Sequence, residues 1–209
     1  MNEARVRDRM CRLARSLYER GYSVGTAGNI SAKLDDGLLI TPTNSCLGFL
    51  EPQRLSKLDV TGTHIAGDPP LKEIFLHQAF YETRTETRSV VHLHSTYATA
   101  LSCLADLDRD DCLLTLTPYI VMRVGRVKLV DYVRPGDPRM GELIRALQGQ
   151  YAAVLLSNHG LVIAGTNLGN AVFAAEEMEE SAKLQLILRD KITRTLSSTQ
   201  IEELISVFR

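Results

Sequence analysis

The segment Val90-Val91-His92-Leu93-His94-Ser95 constrains this chain more than any other. Its β-branched pair favours an extended strand. Side chains alternate between the faces of a strand, so His92 and His94 project from one face while Leu93 enters the packing behind. Two imidazoles together on one face can hold a divalent metal ion. The plain alternative is a surface strand carrying two histidines without function, a common outcome for short motifs. A third histidine tips the balance. His159 lies in Val154-Leu155-Leu156-Ser157-Asn158-His159-Gly160, again at the end of an apolar run and followed by glycine. If it arrives on a neighbouring strand end, three nitrogens ring a cation and a fourth position stays open, as in catalytic rather than structural zinc sites. The sequence reads as that of a metal enzyme.

A length of 209 residues suffices for an α/β domain with a full core, and no repeat, low-complexity stretch or linker interrupts it. A single domain over residues 1–209 is expected. Lys and Arg number 24 against 25 Asp and Glu, and so balanced a charge argues against nucleic acid or an anionic membrane as the main partner. Met1-Asn2-Glu3-Ala4-Arg5 lacks the hydrophobic core of a signal peptide, and no apolar run is long enough to span a bilayer. Cys11, Cys46, Cys103 and Cys112 show neither paired nor metal-binding spacing. They fit a reducing, cytoplasmic setting, with Cys11 and Cys103 acting as small apolar residues.

Periodicity predicts helices over residues 2–20, 71–83, 95–104, 139–147, 168–189 and 200–207. Strands are expected at 38–41, 55–60, 64–66, 90–94, 128–133, 153–156 and 161–164, the last two forming a tight hairpin around Asn158-His159-Gly160. Two loops are small, polar and rich in donors. In Gly25-Thr26-Ala27-Gly28-Asn29-Ile30-Ser31, backbone amides can approach a ligand closely and Asn29 adds a side-chain amide, although an ordinary tight turn would look the same. Pro42-Thr43-Asn44-Ser45 is the second. Past the turn at Gly67-Asp68-Pro69-Pro70, the start of a helix at Leu71-Lys72-Glu73 offers free amides to an anion such as phosphate, and Lys72 adds a positive charge. Glu73, taken alone, is a favourable dipole partner and no more. His64 and His77 read as structural.

Taken together, Gly25–Ser31, Thr41-Pro42-Thr43, Glu73, His92-Leu93-His94 and Asn158-His159-Gly160 resemble the class II aldolase/adducin family over nearly the whole chain. More narrowly, Thr117-Pro118-Tyr119 and Arg134-Pro135-Gly136-Asp137 resemble its branch of 3-oxo-tetronate 4-phosphate decarboxylases rather than its aldolases. The resemblance implies a three-layer α/β/α domain with a mostly antiparallel sheet, assembled as a homotetramer. It implies one zinc ion per subunit held by His92, His94 and His159, with Glu73 in the fourth position at rest and exchanging a proton during the reaction. Gly28, Asn29, Thr43, Asn44 and Lys72 would cradle the substrate phosphate, and Tyr119 would donate a proton across a subunit boundary. The implied reaction decarboxylates the substrate to dihydroxyacetone phosphate through a zinc-stabilised enediolate. A sugar-phosphate aldolase or epimerase would use the same site, whereas adducin-type assembly modules lack the metal ligands that this chain keeps. Two positions depart from the family pattern: Leu71 replaces a small polar residue, and Asn44 replaces a glycine whose positive φ asparagine tolerates better than most residues.

Overall fold

Among residues 2–208, which the computed structural model describes, eight strands form one sheet. They are β1 (Asn29–Leu34), β2 (Gly37–Ile40), β3 (Ser56–Leu58), β4 (His64–Ala66), β5 (Ser89–Leu93), β6 (Val127–Val130), β7 (Ala153–Leu156) and β8 (Gly160–Gly165). Their order is β4-β3-β2-β1-β5-β8-β7-β6, with every neighbouring pair antiparallel except β6 and β7. The helices are α1 (Glu3–Glu19), α2 (Ile74–Thr83), α3 (Thr96–Ser102), α4 (Pro118–Arg123), α5 (Arg139–Ala146), α6 (Leu168–Ile187) and α7 (Ser198–Phe208). None is long and apolar enough to cross a membrane.

Alternation along the strands divides the core in two. On one face, Ile30, Val91, Leu93, Leu161 and Ile163 pack with Met10 and Leu17 of α1, Leu101 of α3, Ile120 of α4 and Met178 of α6. On the other, Val90, Val154 and Val162 pack with Leu76 and Phe80 of α2 and Met140 and Ile144 of α5. This is the expected three-layer α/β/α arrangement. Burial on both faces explains why the central strands read as unbroken apolar runs.

Several boundaries differ from the sequence-based expectation. Helix α2 begins at Ile74, not Leu71, because Pro70 is engaged in a β-bridge with Pro42 and the chain turns before the helix starts. The strand expected at 55–60 shrinks to Ser56–Leu58, and that expected at 128–133 is Val127–Val130. Strand β1 and helix α4 were not foreseen. Asn-Ile-Ser-Ala-Lys-Leu is poor in β-branched residues and takes its extended form from neighbours on both sides. Cys103 is exposed, so of the two cysteines expected to pack as small apolar residues only Cys11 does; Cys112 is also buried.

One buried carboxylate joins a helical layer to the end of β5. Glu179 of α6 is 5% exposed and accepts from Ser95 Oγ at 2.7 Å, Tyr97 N at 2.8 Å and Ala98 N at 2.7 Å. Ser95 is the N-cap of α3 yet makes no side-chain cap bond of its own, so Glu179 satisfies the open amides instead. Replacing Glu179 by Ala should cost about 2–4 kcal/mol of unfolding free energy, because buried donors lose their acceptor. Glu179→Gln should recover part of that loss, and chemical denaturation of the two variants checks the ranking.

Candidate active site

His92 lies on β5 beside Val162 of β8 and Asn29 of β1, on the same face as Val90 and Val162. His94 follows immediately after the strand, and His159 occupies the three-residue turn between β7 and β8. Antiparallel pairing of β5 with β8 brings the three together. His94 Nε2 lies 2.9 Å from His92 Nε2 and 3.0 Å from His159 Nε2. The ring centroids are 4.6–4.9 Å apart.

His92 is held through its ring and His159 through its backbone, while His159 Nδ1 is buried without a hydrogen-bond partner. His92 Nδ1 donates to the Leu161 carbonyl at 2.8 Å, which fixes its tautomer and turns the Nε2 lone pair toward the cluster. Asn158 adopts φ +54°, which folds the turn tightly. The His159 amide donates to Leu156 O at 3.1 Å and lies 3.2 Å from Ser102 Oγ, while its carbonyl accepts from Thr99 Oγ1 at 3.1 Å. Gly160 must be glycine for steric reasons: a Cβ there would sit 2.3 Å from the Leu93 carbonyl oxygen.

Burial keeps all three rings neutral. It pushes His92 well below the ordinary histidine range, with His94 and His159 adding repulsion. His94 falls to about 4 by burial and by repulsion from His159. His159 is lowered by burial, against an opposing attraction from Glu73. Neutral imidazoles with lone pairs aimed at one point are metal ligands. A tetrahedral zinc ion at about 2.0–2.1 Å would spread its nitrogens about 3.3 Å apart, a few tenths wider than seen here. The donor set fits a divalent cation with small side-chain adjustments.

The model of the class II aldolase and adducin N-terminal domain matches residues 8–186. This chain belongs to the class II aldolase/adducin family. The 3-oxo-tetronate 4-phosphate decarboxylase of Pectobacterium atrosepticum is 51% identical, covering 97% of this chain and 94% of that protein. An L-fuculose phosphate aldolase of Methanococcus maripaludis is 34% identical over 83% of this chain and 92% of its own. The crystal structure of YgbL from Klebsiella pneumoniae superposes with a TM-score of 0.94 at 45% identity, covering 98% of this chain and 99% of that one.

Other residues expected at the site of this family member are placed as follows. Glu73 does not join the three nitrogens; its Oε1 accepts from the Gly136 amide at 2.9 Å, and the two residues line a small cavity with His159. Glu73 thus stands beside the cluster, close enough to His159 to oppose the lowering of its pKa. The loop after β2 is tied to the segment before α2 by the Pro42–Pro70 bridge. Asn29 is paired with His92, Thr41 N donates to Ile30 O, and Thr43 N donates to Pro69 O. A Cβ on Gly28 would lie 2.9 Å from the His92 carbonyl oxygen. Asn44 has φ +53°, as expected of an asparagine in a glycine's place. Leu71 is buried. Tyr119 is exposed on α4, in the layer opposite the face that carries His92, in a groove with Tyr22 and Phe173.

His77, expected to be structural, is fully buried and bonded to Asn29 and Ser31. The signal for those partners was a polar residue on the buried face of α2, between Leu76 and Phe80, which requires a partner. Burial pushes His77 down to about 3. The unfolded chain takes up a proton near 6.5 and the folded chain only near 3, so stability is lost as pH falls through that window, by about 1.4 kcal/mol per pH unit for this residue. His92, His94 and His159 shift in the same direction. Chelator-treated protein should therefore unfold at clearly lower denaturant at pH 5 than at pH 7; equal midpoints would contradict the neutral burial. Gly160→Ala should cost about 1–3 kcal/mol from overpacking and lower bound zinc per chain in metal analysis.

Proposed function

We propose that this chain is a carboxy-lyase that converts a 3-oxo-tetronate 4-phosphate to dihydroxyacetone phosphate and carbon dioxide, using one zinc ion per subunit. The observation that carries this reading is the convergence of three Nε2 atoms beside Asn29, which pairs with His92. Near-full-length identity to a decarboxylase of that substrate class supports it. In this reading a single domain carries the whole site and works in the cytoplasm.

Loss of carbon dioxide from a β-keto acid leaves an electron pair at C2. The bound ion supplies Lewis acidity for the oxygens that take up that charge. His92, His94 and His159 hold it as neutral ligands. Lys72, Asn29, Thr43, Asn44 and the Gly28 backbone bind the phosphate, which fixes the distance and angle at which the carboxylate is presented. Glu73, held by Gly136 beside His159, exchanges the proton at C2. Tyr119 faces away from the site of its own chain and serves a neighbouring subunit's site in a homotetramer, donating a proton or a hydrogen bond there.

The test is a paired measurement of gas and metal. The zinc-loaded protein should release one carbon dioxide for each dihydroxyacetone phosphate formed. His92→Ala should bind far less than one zinc per chain and lose roughly 100-fold or more in turnover. Retention of full metal and turnover by His92→Ala would overturn the metal site. Condensation of dihydroxyacetone phosphate with an aldehyde, without decarboxylation, would assign the same site to an aldolase.

A further inference from the structure

A polar chain runs through the apolar layer between α2 and the sheet and ends on Asn29. His77 Nε2 lies 2.5 Å from Asn29 Oδ1, His77 Nδ1 lies 2.8 Å from Ser31 Oγ, and Ser31 Oγ lies 2.7 Å from Tyr81 Oη. Alternation along β1 puts Asn29 and Ser31 on one face, toward α2, where His77 and Tyr81 are one helical turn apart.

The direction of this chain is fixed at its Asn29 end. The amide oxygen facing His77 can only accept, so Nε2 carries the ring proton, Nδ1 accepts from Ser31, and Ser31 accepts from the Tyr81 hydroxyl. Ser31 has one proton, which goes to Nδ1 of His77. A neutral imidazole that accepts at Nδ1 carries its proton on Nε2, and that proton is donated to Asn29 Oδ1. The oxygen end of the Asn29 amide is thereby occupied. Its NH2 end must face away from His77.

We propose that His77 is a positioning residue: through the Tyr81–Ser31–His77 relay it orients Asn29 so that the side-chain NH2, not the carbonyl, meets the substrate phosphate. This rests on the phosphate cradle of the proposed function and deepens it. Without the relay the two amide orientations become comparable, and the reversed one turns a carbonyl oxygen toward an anion. Recognition of the phosphorylated substrate then depends on a tyrosine and a serine that never touch it.

A double-mutant cycle between His77 and Asn29, read by competitive inhibition with inorganic phosphate and by KM and kcat, tests this. His77→Leu should weaken phosphate inhibition and raise KM about tenfold, with zinc content intact and a much smaller change in kcat. His77→Gln, whose amide nitrogen can still donate to Asn29, should restore most of the loss. In an Asn29→Ala background, His77→Leu should change KM by less than twofold. A folded His77→Leu protein with wild-type phosphate inhibition overturns the proposal, as does a KM effect that persists undiminished with Asn29 removed. Should His77→Leu fail to fold, the wild-type protein still decides: its Asn29 side-chain amide resonance must shift on adding phosphate, and an unmoved resonance overturns the orientation. If wild-type protein is not inhibited by phosphate at all, the cradle itself fails, a result separate from any effect of His77.

Discussion

Three nitrogen lone pairs held within about van der Waals distance of one another repel unless a cation or a shared proton lies between them. The pairing of β5 with β8 forces this arrangement on His92, His94 and His159. Leu93 lies opposite Leu161, and Gly160 passes so close to the Leu93 carbonyl that no side chain fits. Register in the middle of the sheet therefore sets the separation of ligands that are 65 residues apart in the chain. Because both faces of these strands are buried, a slip of one residue would turn His92 into the apolar layer of α1, α3 and α6. The same packing that stabilises the fold specifies the histidine cluster.

Around that centre the protein assigns separate elements to separate tasks. The α2 layer supplies Glu73 and the His77 relay; the opposite layer supplies Glu179, which caps the helix following His94. Glu73 and Glu179 illustrate two uses of a carboxylate. Glu179 is buried and bonded to three donors, so it is part of the scaffold. Glu73 is half-buried, bonded to a single amide in an exposed turn, and borders a cavity at His159.

Much of this was legible in the residues. The two-residue period of Val91-His92-Leu93-His94 fixes which side chains share a face, and the apolar run ending at His159 announced a neighbouring strand end. Asn44 kept its positive φ because asparagine tolerates it. What was not legible depended on tertiary neighbours. β1 lacks the composition of a strand, so the shared face of Asn29 and Ser31 could not be read, and His77 had no visible partner. No local signal shows that the Gly136 amide, 63 residues away, donates to the Glu73 carboxylate. The layer that carries Tyr119 is likewise a property of the fold, set by Ile120 and Val121 packing beneath it.

The account turns on one cation bound by all three imidazoles. Anomalous diffraction above and below the zinc edge, on crystals of the metal-loaded protein, locates that ion directly. The predicted result is a single peak at each site, within bonding distance of Nε2 of His92, His94 and His159. A peak elsewhere, or His159 turned away from a metal held by the other two, would contradict it.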